Sequence, residues 1–385
     1  MRMRKAASAL VGLLLAGVAA TPAHAQTIRE KQWHLNAMKA DDIWKTSTGK
    51  GVIIAVIDTG VGRVSELEGQ VLPGKDLATS QEGDERTDYD RHGTTIAAVM
   101  VGTGKHPSGD GALGLAPGAK VLPIRVPIES NAMYPSVTQA IRYAADSDAK
   151  IINISLGLDA EDPARLDAVK YALSKGKLIF AGVGNDAEGL NDVKYPAATP
   201  GVVGVGAIGP DGGVTQESER GPQVDMSAPG IDIYAACEGQ SEVCVTHGTS
   251  DASALASASA ALLWSVHPDW TNNQILRVLL NTAGKPVDGA ERNDLVGYGV
   301  VRPRVAVPTP GDPGPADVYP LPDLAAADSG GKPAEAGSPK PAPKPQSADS
   351  EKGGGSSLPW IALGLGACVV IGGAVTAIVV RRNRG

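Results

Sequence analysis

Between residues 51 and 307 the chain alternates short apolar runs with longer stretches whose apolar positions recur every three or four residues. Residues 52–57 form a continuous apolar run rich in β-branched side chains, the pattern of a strand buried on both faces. Residues 121–126, 150–154, 178–183 and 202–205 read the same way, and 137–145 and 163–174 read as helices between them. Strand, helix, strand, helix predicts an α/β fold with a mainly parallel sheet and helices on both faces. A further helix starts at Thr271, where Thr271 and Gln274 form a capping box ahead of the apolar face Ile275, Val278 and Leu279.

The pattern changes at both ends. Residues 1–5 carry three basic side chains, residues 6–20 are mostly apolar, and Ala23 and Ala25 place small residues at the −3 and −1 positions. This predicts a signal peptide, residues 1–25, cleaved after Ala25; the run is short for an uncleaved anchor. Residues 308–357 are rich in Pro, Ala, Gly, Ser and Lys. Such a composition buries too little apolar surface to offset chain entropy, so a disordered tether is expected, spanning roughly 40 Å as a coil. Residues 358–380 hold no charged side chain and are long enough to cross a bilayer. Arg381, Arg382 and Arg384 follow at once, which puts the tail 381–385 in the cytoplasm and the body outside. The glycines 364, 366, 372 and 373 suit close helix packing, or are merely tolerated there.

Apolar residues make up 42% of the 385 and charged residues 20%, as in ordinary globular proteins. The net charge of −7 argues against nucleic acid as a partner. Cys237 and Cys244 lie in one polar stretch, and outside the cytoplasm they are expected to form a small-loop disulfide. Cys368 falls inside the expected span and cannot pair with either. A metal site at Cys237 and Cys244 would need two more ligands, and only His247 is near.

Three short motifs carry candidate chemistry: Ile57-Asp58-Thr59-Gly60 at the end of the first core strand, Arg91-His92-Gly93-Thr94 opening a small-residue helix, and Gly248-Thr249-Ser250-Asp251 opening an Ala/Ser-rich helix. Each alone is unremarkable: a turn, a surface loop, a helix cap. Together they supply what amide hydrolysis needs. A serine hydroxyl becomes nucleophilic only when a base takes its proton, a histidine does this near neutrality, and a carboxylate fixes the histidine's tautomer and stabilises the imidazolium. All three would meet at the carboxyl ends of the strands, where open α/β sheets bind ligands.

The order Asp58, His92, Ser250 and the surrounding motifs resemble the subtilisin family over residues 28–307. Residues 114–122 resemble the family's run into its substrate-pairing strand. Ser155, Leu156 and Gly157 resemble the strand lining the pocket for the residue before the cut, residues 181–185 the turn carrying the oxyanion asparagine, and residues 195–197 the segment just after it. The resemblance implies a serine endopeptidase; the sequence assigns it no cofactor and no metal ligands. Asp58 would orient, His92 act as base and then acid, Ser250 attack, and Asn185 with the Ser250 N–H hold the oxyanion. Its substrate would be a protein or peptide. The short N-terminus, outward topology and C-terminal anchor also resemble the mycosins, membrane-anchored proteases of type VII secretion systems, which implies a membrane secretion complex as partner.

Two features depart from the family pattern. Residues 26–50 are too short for a folding pro-domain; Trp33, Met38, Ile43 and Trp44 suggest instead an extension that packs on the catalytic domain. After Ser250 stands Asp251 where an apolar residue is usual, and Ala254 where proline is usual. Asp251 either favours the helix N-terminus or faces the leaving-group side, selecting basic residues there and raising the His92 pKa. A scaffold component of a secretion assembly and a stalk-borne binding module are the alternatives; the intact triad speaks against both. The acidic stretch 82–90 is expected to be solvated or weakly calcium-binding.

Overall fold

The structure, a computed structural model, describes residues 26–239 and 242–328. The expected leader, residues 329–357 of the tether, the span 358–380 and the tail lie outside the described residues. Among the described residues no helix is long and apolar enough to cross a membrane.

The chain opens with three short helices, α1 (Ile28–Lys31), α2 (Trp33–Met38) and α3 (Ala40–Ile43). Thr27 and Glu30 cap α1 reciprocally. Leu35, Met38 and Ile43 are buried in the main core. Gln32 hydrogen-bonds the carbonyls of Leu113 and Tyr234 at 2.7 and 2.9 Å, and the indoles of Trp33 and Trp44 donate to Ile231 and Leu115. The segment is therefore part of the domain's own packing.

There follow β1 (Ile53–Asp58), β2 (Lys75–Asp76), α4 (His92–Val101), β3 (Lys120–Arg125), α5 (Ser130–Asp146), β4 (Ile151–Ile154), α6 (Pro163–Ser174), β5 (Leu178–Gly182), β6 (Val203–Ile208), β7 (Met226–Pro229), β8 (Ile233–Ala236), β9 (Val243–Thr246), α7 (Thr249–Val266), α8 (Asn272–Asn281), α9 (Pro303–Ala306) and α10 (Asp323–Asp328). Seven strands form one parallel sheet in the order β2-β3-β1-β4-β5-β6-β7. Successive side chains point to opposite faces. Ile54, Val56, Val121, Ile151 and Phe180 meet α4 and α7 in one core. Ala55, Ile57, Ile124, Ile152 and Ile179 meet the α5–α6 layer in the other. The expected α/β architecture with helices on both faces is thus present, and strand order reverses at β1, whose last residue is Asp58.

Two expectations need correction. Residues 308–328, assigned to the tether, lie on the domain. Arg277 of α8 donates to the carbonyls of Pro313, Pro315 and Val318, while Thr271 and Asn273 both donate to that of Ala316. Leu321 is buried, and Asp323 accepts from the Gly201 N–H at 2.7 Å. A proline-rich strand lacks donors but keeps its carbonyls, and the polar face of α8 supplies the missing donors. The acidic stretch 82–90 is not simply solvated either. The buried Arg125 guanidinium donates to the Glu82 carbonyl (3.1 Å) and Gln81 Oε1 (3.3 Å) and pairs with Asp76, so a protein cation sits under the loop.

Candidate active site

Asp58, Ser155 and Asn185 stand at or just beyond the carboxyl ends of β1, β4 and β5, and α4 and α7 both begin at that edge. Asp58 is buried and its Oδ1 accepts from His92 Nδ1 at 2.7 Å and from the Thr59 N–H at 2.8 Å. His92 is the first residue of α4. It is brought this close because Arg91 turns through the left-handed region (φ 68°) and because Gly93 has no Cβ, which would overlap the Gly60 carbonyl. Bonded through Nδ1, the imidazole keeps Nε2 for a substrate or a serine.

Asp88 fixes this corner. It accepts from Thr59 Oγ1 (2.7 Å), the Arg91 N–H (2.9 Å), the Thr94 N–H (2.8 Å) and Thr94 Oγ1 (2.6 Å). It thereby satisfies orphan donors at the start of α4 and ties them to the Asp58 turn. The sequence assigned it only to an acidic loop; the usable clue was an Asp a few residues ahead of a helix start.

Ser250 lies in the first turn of α7, where backbone N–H groups lack intrahelical acceptors. Its Oγ donates to the Ser155 carbonyl at 3.4 Å, and Ser155 Oγ donates back to the Ser250 carbonyl at 3.2 Å. The serine hydroxyl thus bonds toward β4, and among the described residues it makes no hydrogen bond to His92. Triad bonds are often loose without substrate, and a rotation about χ1 redirects the hydroxyl. Asn153, which the sequence left as a plain strand residue, anchors the nucleophile's helix. Its Oδ1 accepts from Ser253 and Ser257 at 2.9 and 3.0 Å, and its Nδ2 donates to Ser155 Oγ at 3.0 Å.

Asn185 is exposed on the turn after β5. Its Oδ1 accepts from the Thr249 N–H (2.9 Å) and Thr249 Oγ1 (3.0 Å), and Thr249 Oγ1 also accepts from the Gly184 N–H. With the oxygen committed to the residue before Ser250, the Nδ2 amide is the end left to donate, as an oxyanion donor must be. Leu156 is half-buried and Gly157 exposed, one residue before Leu158 bridges to Tyr195, with Lys194 alongside Gly157. Of the three predicted pocket residues, Ser155 is buried against the nucleophile, and Leu156 and Gly157 form the open edge beyond it.

Asp251 is fully buried, so any selection of basic residues beyond the cut would act through its charge and not through contact. It accepts from Thr246 Oγ1 at 3.2 Å, while its Oδ1 has no partner. Burial lifts its pKa to about 7, against the pull of His92. Burial also disfavours the charged form of His92. The Asp58 charge and hydrogen bond outweigh this, aided by Asp251 and Asp90, and the imidazole pKa rises to about 9. The direction of that effect is the one expected for the Asp251 charge.

Cys237 and Cys244 form the expected disulfide, clasping the antiparallel hairpin of β8 and β9. Together with His92, Thr95 and Thr246 they line a cleft of about 630 Å³ beside the triad. Among the described residues no group of His, Cys, Asp and Glu is placed to hold a metal.

Comparison with known proteins agrees with this geometry. Residues 49–299 match the model of the subtilase family. A thermophilic serine proteinase of Bacillus sp. (strain AK1) is 34% identical over 246 residues, 63% of this chain and 59% of that protein. Mycosin-1 of Mycobacterium tuberculosis is 31% identical over 339 residues, 74% of each chain. A crystal structure of MycP1 from the ESX-1 type VII secretion system superposes with a TM-score of 0.64 at 29% identity, covering 74% of this chain and 88% of that one.

Proposed function

The chain belongs to the subtilase family, and from that premise we propose a serine endopeptidase anchored on the outer face of a membrane and working with a type VII secretion assembly. The observation that carries the peptidase reading is the 2.7 Å bond from Asp58 to His92 Nδ1, set beside a helix-borne Ser250 and the uncommitted Asn185 amide. His92 Nε2 takes the Ser250 proton as Oγ adds to the scissile carbonyl. Asn185 Nδ2 and the Ser250 N–H receive the developing oxyanion. The imidazolium, stabilised by Asp58, passes its proton to the leaving amine, and a water deprotonated by the same imidazole releases the acyl group. Leu156 and Gly157 offer free backbone for an extended peptide ahead of the cut.

The anchor is supported by the uncharged residues 358–380 and the arginines that follow, and the outward orientation by the same arginines and the disulfide. The secretion role is supported by likeness to mycosin-1 and to MycP1. The alternative, a scaffold with little proteolysis, draws on one observation: Ser250 Oγ bonds the Ser155 carbonyl, and no bond to His92 is made among the described residues.

Two experiments separate the parts. Purified full-length protein in detergent is incubated with an unstructured protein substrate beside Ser250→Ala; cleavage by the wild type alone supports the enzyme, and cleavage by neither supports the scaffold. Externally added protease on intact cells should remove the domain and spare a C-terminal tag. Loss of the tag, or protection of both, would reverse or abolish the proposed topology.

A further inference from the structure

The segment 217–220 grips the turn that carries Asn185 at several points. The Glu219 N–H donates to the Gly184 carbonyl at 3.1 Å, and the Ala187 N–H to the Glu217 carbonyl at 3.1 Å. Asn191 and Arg220 exchange two bonds, each 2.9 Å. In the middle lies the Glu219 side chain. It is fully buried, and neither carboxylate oxygen makes a well-formed hydrogen bond, the Asp186 N–H being its one weak donor among the described residues. It presses on the Cα of Gly184, where a Cβ would overlap the carboxylate; the φ of +117° there also favours glycine. The next residue is Asn185. Burying a carboxyl so poorly supplied with donors is costly, so a group kept here has its state set by the turn and in turn acts on it.

We propose that Glu219 is a positioning residue for the oxyanion turn: as a neutral carboxyl it fills the space under Gly184 and holds the Asn185 amide in place, and on losing its proton it sets an uncompensated negative charge behind the oxyanion site and slows the reaction. The inference rests on the peptidase reading and adds to it a proton-controlled support outside the triad.

The surroundings fit a titrating group. Burial raises the Glu219 pKa to about 7. The Lys194 ammonium and the Asp186 N–H favour the charged form, and the carboxylates of Asp186 and Asp192 oppose it. Lys194 is itself engaged by the exposed Asp159 at 2.7 Å, so Glu219 has no dedicated counter-ion. The proton therefore comes off near neutrality, on the acid side of the His92 titration. An anion behind the turn opposes the charge that Asn185 must stabilise.

The test is the rate of phosphonylation of the full-length protein by a fluorophosphonate, with maximal rate and half-saturation measured separately from pH 5.5 to 9. Wild type, Glu219→Gln and Glu219→Ala are compared, and thermal melts confirm folding. Glu219→Gln keeps the shape and cannot ionise. Its rate should match wild type within twofold at pH 6, and the ratio of variant to wild type should climb several-fold through pH 7; taking the ratio cancels the titration of His92. Glu219→Ala should lower the maximal rate about tenfold with half-saturation little changed, since a small displacement of a catalytic donor is costly. A ratio flat with pH, or an unaltered maximal rate in folded Glu219→Ala, overturns the inference and leaves the peptidase reading standing. Failure of the wild type to label at any pH overturns the peptidase reading and the inference with it.

Discussion

Replacing Asp251 by Asn isolates the electrostatic part of the site. Asp251 follows the nucleophile, is fully buried, and is among the negative groups that raise the His92 pKa to about 9. Asparagine has the same shape and can still accept from Thr246 Oγ1, so packing is preserved and only the charge is lost. An opposite charge within a few ångströms typically moves a pKa by about one to three units. Asp251 ranks behind Asp58 as a cause, so a shift near the lower end, about one unit, is expected. The sign follows from the charge: Asp251 favours the imidazolium, and removing it makes His92 easier to deprotonate. The acid limb of kcat/KM should therefore move about one unit toward lower pH, a several-fold larger fraction of neutral His92 between about pH 7, above which Asp251 is charged, and the limbs, with the gain fading below pH 7. The alkaline plateau should fall, because the imidazolium formed in the transition state loses a counter-charge. The assay is kcat/KM against pH from 5 to 10.5 with a neutral peptide substrate, so that only enzyme groups titrate. A limb that stays in place or moves to higher pH would refute the reasoning.

Two further outcomes are expected. Asn185→Ala should reduce kcat by about 10² to 10³ with KM nearly unchanged, the usual cost of one oxyanion donor, measured by steady-state hydrolysis. A soluble domain ending at residue 328 should be more stable than one ending at 307 by at least the burial of Leu321, about 1.5–3 kcal/mol, as read from denaturant melts.

The sheet was legible because a strand covered on both faces must be apolar throughout: residues 52–57 and 178–183 declare β1 and β5 within a residue or so. The edge strand β2, with two residues, and the hairpin β8–β9, partly exposed, carry no such pattern. The triad was legible because its residues sit at element boundaries marked by glycine and a small-residue helix. Their supports were not. Asp88, Asn153 and Glu219 each reach a partner between 29 and 104 residues away in the chain, and no local spacing encodes those contacts. The packing of residues 308–328 escaped notice for a related reason. Composition counts apolar side chains, whereas that segment is held largely through its carbonyls by donors on α8.

The central claim is that Asp58, His92 and Ser250 work as one nucleophilic unit in this chain. The most direct measurement is mass-spectrometric mapping of the fluorophosphonate adduct on the folded full-length protein, with Ser250→Ala and His92→Ala beside it. A single adduct on Ser250 is expected in the wild type and none in either variant. A folded wild type that stays unlabelled, or a serine other than Ser250 carrying the adduct, would contradict it.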